Sequence, residues 1–285
     1  MMTEEEQHLW HTDGLLHLKG VLSPDQVAFF NEELDRIRAL PGYEPDNDPT
    51  LPMGHYSWFD HAKDLDPDGF MDRRDLLSYH QAFVDLIDAQ PVFDYVLEIM
   101  GPNMLLSMTQ AIVRRPSDKF PGYTHTDGGE SLRMIRPTEN CPPIAMKAMY
   151  LLTDVTEENT GNLTVYPGSH YRQIPDDKIR TMTPYSTGAT QLMGNAGDVY
   201  LFPHALWHGP ARNESDHSRR VLLYNYCQLW VRSYDHHDVP SLEQQVTPRQ
   251  RRLLGDLGYD FRPGSYFYVP NDCLLYTSDA ADEED

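Results

Sequence analysis

Long apolar runs are the first thing this sequence does not have. No stretch of its 285 residues approaches the ~20 apolar positions of a membrane span, and the amino end shows no basic-then-apolar signal pattern. Cysteine is scarce as well. Cys141, Cys227 and Cys273 have no paired spacing for zinc and make no disulfide framework. They are expected as small buried hydrophobes in a reducing compartment. Positive charge is also short: 23 Lys and Arg stand against 44 Asp and Glu, a formal charge of −21. Such a surface excludes nonspecific affinity for nucleic acid or an anionic membrane. There is no internal repeat and no interdomain linker. What is present is a 40% hydrophobic fraction, enough for a packed core. The expectation is a soluble, cytoplasmic protein whose partner is a small molecule rather than nucleic acid or membrane.

The carboxyl end reads differently from the rest. Residues 273–283, from Cys273 to Glu283, resemble the translation of a transposase-type sequencing-library adaptor. Residues 273–285 are therefore expected to be a foreign tail that replaces the native carboxyl end. Setting aside Asp279, Asp282, Glu283, Glu284 and Asp285 takes the formal charge from −21 to −16. The remaining 1–272 is expected to be one domain.

In chain order, residues 1–10 are acidic and expected to fray. Gly14 to Val21 predicts a short strand. Ser23-Pro24-Asp25 then opens a helix, with Ser23 as N-cap and Pro24 at the first helical position. Val27, Phe30, Leu34 and Ile37 recur at helical spacing, and Pro41-Gly42 stops the run. From Tyr43 to about Met71 the chain is rich in Pro, Gly, Asp and aromatics without a period. His55, Tyr56, Trp58, Phe59 and His61 there could wall a substrate entrance or simply pin a loop. A second helical region spans about 75–100, broken near Pro91, and completes a helical part of about 23–100.

Beyond it the pattern changes to short β-like segments: Leu105 to Val113, Ile144 to Leu152, Asn162 to Tyr166, Asp198 to Phe202 and Val221 to Val231. Short strands with Gly- and Pro-rich turns indicate a sandwich or barrel. The predicted fold is mainly β with flanking helices, a double-stranded β-helix (jelly-roll, cupin-like) barrel over about 103–232. A last helix, about 247–257, is expected outside the barrel.

Chemistry concentrates in Tyr123-Thr124-His125-Thr126-Asp127-Gly128-Gly129. On an extended strand residues two apart share a face, so His125 and Asp127 present an imidazole and a carboxylate together. That is two thirds of the two-histidine, one-carboxylate face that holds non-haem Fe(II) with positions left open. His204 and His208, both following an apolar strand, compete for the third place. Arg219 and Arg220 open the next strand and point to opposite faces. Val221, Leu223 and Asn225 share the Arg219 face; Leu222, Tyr224 and Tyr226 share the other. Neither face is cleanly polar.

With these motifs and Gly161-Asn162-Leu163-Thr164-Val165-Tyr166-Pro167-Gly168-Ser169-His170, the chain resembles the phytanoyl-CoA dioxygenase family over roughly residues 10–235. The resemblance implies Fe(II), 2-oxoglutarate and O2 as metal, cosubstrate and oxidant. It implies His125, Asp127 and His208 as ligands, His208 being favoured over His204 by its eleven-residue interval to Arg219 and by Gly209-Pro210. Arg219 would grip the distal carboxylate of 2-oxoglutarate, a task suited to a planar guanidinium fork. Gln110 and Lys147 are further candidates for cosubstrate contact, and the lone Lys147 in an apolar strand should meet a carboxylate or reach solvent. Arg133 and Arg136 are candidates for an anionic substrate or for plain solvated charges. Iron halogenases of related type replace the acid with a small residue; here Asp127 is kept, which favours oxygen insertion. The implied activity is hydroxylation of a small organic metabolite with release of succinate and carbon dioxide. The alternatives are a cupin-like metal enzyme that does not use 2-oxoglutarate and would not need Arg219, and a noncatalytic binding barrel, against which the intact ligands and arginine argue.

Overall fold

Among the described residues nine strands supply the frame: β1 Leu16–Leu18, β2 Met71–Arg74, β3 Met104–Arg114, β4 Ala145–Leu151, β5 Leu163–Val165, β6 Thr190–Gln191, β7 Val199–Pro203, β8 His208–Pro210 and β9 Arg219–Gln228. The computed structural model describes residues 1–40, 71–117, 124–128, 132–172, 182–235 and 245–257. The loop read from Tyr43 onward, with its aromatic cluster, and the carboxyl tail after residue 257 lie outside the described residues. Six strands form one antiparallel sheet in the order β1-β7-β4-β9-β3-β2, and three form a second in the order β6-β5-β8. The two sheets face each other as in a jelly roll, the fold class expected from the sequence.

The large sheet is buried on both faces. Outward, Leu222, Tyr224 and Tyr226 of β9 join Ala148 and Tyr150 of β4 in a core shared with Phe30, Leu34 and Ile37. Those three residues come from α2 Pro24–Arg38, whose Ser23 caps it with a reciprocal Gln26 bond. Inward, Val221 and Leu223 join Met149, Leu151, Tyr200 and Phe202 against Leu163, Val165 and Leu206 from the small-sheet side. Each fully buried aliphatic or Phe side chain contributes about 1.5–3 kcal/mol, so both cores are substantial. The Tyr224 and Tyr226 hydroxyls donate to the Phe83 and Ile87 carbonyls at 2.7 Å each, tying the helical layer to the sheet.

The helical regions depart from expectation in three places. The amino end is ordered: α1 Glu4–Asp13 begins in a Thr3/Glu6 capping box, and Gly14 ends it in the left-handed region. Trp10 is buried and Tyr95 Oη donates to Glu6 at 2.7 Å, so tertiary contacts hold what its charge suggested would fray. The stretch 75–100 is fragmented, not a helix with one break. Asp75 takes φ 52°, a 3-10 turn covers Leu76–Ser78, and α3 Gln81–Asp85 and α4 Val92–Met100 follow. The last helix, α5 Pro248–Leu253, is shorter than expected and packs on the outer side, with Leu253 in the outer core. Cys227 is buried as expected, but Cys141 is exposed. Among the described residues no helix is long and apolar enough to cross a membrane.

Candidate metal centre

The site is assembled by backbone pairing between two distant segments. His125 N–H donates to the His208 carbonyl at 2.8 Å and His208 N–H returns the bond at 2.9 Å. Asp127 N–H donates to the His204 carbonyl at 2.9 Å. An isolated antiparallel bridge thus lays the first motif beside the second, and β8 carries His208 onto the small sheet, where it opposes Val165 of β5. The turn signature serves that placement. Trp207 N–H donates to Ser169 Oγ at 2.9 Å and Tyr166 N–H to the Trp207 carbonyl at 2.9 Å, so the residue before His208 is held on both sides.

His125, Asp127 and His208 each turn one ligand atom inward, and all three atoms lie within 4.8 Å of one another. Asp127 Oδ1 stands 3.8 Å from His208 Nε2 and 4.0 Å from His125 Nε2. His208 Nδ1 lies 2.8 Å from the Leu206 carbonyl, which can only accept. The proton is therefore on Nδ1, and Nε2 presents its lone pair to the site. Burial, with the nearby His125, pushes the His208 pKa down to about 3, so the ring is neutral near pH 7. Burial alone would raise Asp127, but Lys147, His208 and His125 outweigh it and hold the carboxyl well below the usual range.

His204 is not in this cluster. It is buried, with Nδ1 and Nε2 each 3.2 Å from a carbonyl, those of Ala145 and Ile135, and burial lowers its pKa. Lys147 is at the centre of the site: its Nζ donates to Asp127 Oδ1 at 2.6 Å. Arg219 faces the inner side of the large sheet, on the rung shared with Arg114, and is 4% exposed. Burial first, and Arg114 second, lower its pKa to about 9. Gln110, also on β3, is buried with its amide donating to Asp72 Oδ1 at 2.6 Å. Arg136 Nη1 donates to the Ala205 carbonyl at 2.6 Å, a structural tie for one of the two arginines offered to a substrate.

The residues fit a metal with an anionic cosubstrate. The donor set is two neutral-capable imidazoles and an ionised carboxylate, the chemistry of a facial Fe(II) site. Asp127 Oδ2 and Arg219 Nε are buried without a hydrogen-bond partner, an arrangement costly to keep unless a ligand completes it.

The chain matches the family model described as "Phytanoyl-CoA dioxygenase (PhyH)" over residues 10–221. It belongs to the phytanoyl-CoA dioxygenase family. As a member it is a non-haem Fe(II)- and 2-oxoglutarate-dependent dioxygenase. Its relatives include the dioxygenase trt7 of Aspergillus terreus, 26% identical over 255 residues, covering 85% of this chain and 80% of that protein. The dioxygenase FUM3 of Gibberella moniliformis is 27% identical over 258 residues, covering 88% and 82%. HygX of Streptomyces hygroscopicus, solved with nickel, 2-oxoglutarate and hygromycin B bound, is 20% identical with a TM-score of 0.62, over 81% of this chain and 90% of its own. At that identity the likeness to HygX shows a shared fold.

Within the family frame, several inner-face residues were not singled out from the sequence. Asp72 and Arg74 lie on β2, opposite Ile112 and Gln110 of β3, and Arg114 lies opposite Arg219. Asn225 faces inward on the rung of Lys147 and Met108. A charge inside an apolar strand was the available signal for Arg114; β2 is too short to announce itself by period.

Proposed function

We propose that this dioxygenase hydroxylates a small organic metabolite, with residues 1–272 forming one catalytic domain. His125, Asp127 and His208 would hold the iron, and Arg219 the distal carboxylate of 2-oxoglutarate. When bound, iron and 2-oxoglutarate supply the oxygen-activating chemistry, with succinate and carbon dioxide as coproducts. The chain's own part is to orient and to keep water out. The Leu206 carbonyl fixes the His208 tautomer, the backbone bridge between 125 and 208 sets the two imidazoles side by side, and Phe202 packs its ring 5.0 Å from that of His208. Arg219 offers a dehydrated guanidinium, which binds a carboxylate more strongly than a hydrated one does. Asp72 accepts from the Gln110 amide nitrogen, leaving the Gln110 carbonyl oxygen to accept from a donor on the substrate.

The observation that carries this reading is the convergence of three metal-ligating atoms within 4.8 Å in a fold that also buries Arg219 without a partner for Nε. Anaerobic titration of Fe(II)-loaded protein with 2-oxoglutarate tests it. A weak visible charge-transfer band is expected in the wild type, lost in His208→Ala and weakened in Arg219→Ala. Protein that holds iron yet shows no band would favour the cupin-like alternative.

A further inference from the structure

Strand β4 carries one charged residue, Lys147, and it points between the sheets with Phe202 and Asn225 as its rung neighbours. Its side chain is 11% exposed, and its Nζ sits 2.6 Å from Asp127 Oδ1. That oxygen is the one the two imidazoles face, at 3.8 and 4.0 Å. An ammonium therefore already stands on the carboxylate oxygen that a metal would take, while Oδ2 is buried and unpartnered. A divalent ion bonds histidine nitrogen and carboxylate oxygen at about 2.0–2.2 Å. Ammonium and metal on one oxygen would be like charges a few ångströms apart in a site of low dielectric, a strongly repulsive arrangement.

We propose that Lys147 is a positioning residue that stands in for the metal on Asp127 in the metal-free protein and is displaced when the metal binds. The released ammonium then serves as a cation for the anionic cosubstrate. This rests on the assignment of His125, Asp127 and His208 as ligands. The surroundings of Lys147 favour that second role. Its rung neighbours are an aromatic ring and an amide, neither of them an acid. The inner-face acid Asp72 lies three strands away and four residues further along β3, roughly 20 Å, and is engaged with Gln110. Among the described residues a displaced ammonium thus has no carboxylate other than Asp127 close by on the sheet, and a dianionic ligand supplies one. Metal binding would in this way prepare the site for 2-oxoglutarate, and by reciprocity the cosubstrate would tighten the metal.

The rival role is orientation: a lysine that merely aims the carboxylate would support the metal, and its loss would weaken metal binding about 10–100-fold. The two roles differ in sign. Mn(II) binding is measured by calorimetry on the full chain, without turnover, for wild type, the neutral variants Lys147→Met and Lys147→Gln, and the charge-keeping Lys147→Arg. Competition predicts that the neutral variants bind Mn(II) about tenfold tighter in the absence of cosubstrate. Once loaded, they bind 2-oxoglutarate about tenfold more weakly than the wild type, so the coupling between the two ligands shrinks. Lys147→Arg stays near wild type in both. Mn(II) affinity that is unchanged or weaker in the neutral variants overturns the proposal. A wild type that binds no Mn(II), or keeps it in His208→Ala, overturns the ligand assignment and the lysine's role with it.

Discussion

Arg219 and Arg220 are adjacent in sequence and opposite in circumstance. Arg220 points outward, where Nη1 donates to the Asn31 carbonyl at 3.1 Å and Nη2 meets Asp35 at 2.8 Å, both on α2. Arg219 points inward, buried beside Arg114, with Nε unsatisfied. The outer face of the large sheet uses its polar groups to fasten helices: Arg220 to α2, and the Tyr224 and Tyr226 hydroxyls to the Phe83 and Ile87 carbonyls. On the inner face Gln110 is paired with Asp72, but Arg219 Nε is buried without a hydrogen-bond partner. Stability lives on the first face and chemistry on the second, and a buried unsatisfied group on the second is the mark of a site held ready at some cost in stability.

Replacing the two arginines in turn should separate these faces. Arg219→Met is expected to weaken 2-oxoglutarate binding by about 3 kcal/mol, roughly a hundredfold. Its ligand-free stability should rise by about 1 kcal/mol, because a buried cation next to another is removed at similar volume. Calorimetric titration and denaturant unfolding read the two quantities; a parallel loss of stability and affinity would mean that Arg219 is structural. Gly161 tests how the inner arginine is held. It has φ +80°, and a Cβ there would come within 3.0 Å of Arg219 Cβ. Gly161→Ala should cost about 1–2 kcal/mol from backbone conformation and also weaken the cosubstrate by pushing the Arg219 side chain. Unfolding and binding measured on one preparation check this, and unaltered cosubstrate affinity would break the link to Arg219. The smallest change belongs to Arg220→Ala. Its partner Asp35 is largely exposed, so a loss of at most about 1 kcal/mol in unfolding is expected, with 2-oxoglutarate affinity unaltered. A binding defect there would blur the contrast between the faces.

The two arginines also show why part of the site was legible and part was not. Strand alternation placed them on opposite faces but could not say which was inner. Both faces of β9 are buried, so no polar side marks solvent. Family spacing pointed to Arg219, and alternation with Val221 and Leu223, which pair with Leu151 and Met149 in the inner core, sets its face. At the amino end the acidic composition predicts fraying, whereas the Thr3/Glu6 capping box and the burial of Trp10 hold the helix. Strands β2, β6 and β8 have two to four residues and no measurable period, so they exist only through their partners. With β2 unseen, Asp72 and Arg74 could not be placed beside Gln110.

By itself the sequence determined the element types of the longer segments, the jelly-roll class, and the pairing of an imidazole with a carboxylate two residues apart. Those properties depend on local period and local chemistry. Which histidine stands with His125 and Asp127, and that Lys147 reaches the carboxylate, were decided by tertiary structure. His204 and His208 are four residues apart after one strand, and only the bridge from 125 to 208 aims the second at the site while backbone carbonyls enclose the first. Lys147 and Asp127 are 20 residues apart on separate elements and meet because the two sheets face each other. Such contacts depend on long-range packing, which no local pattern encodes.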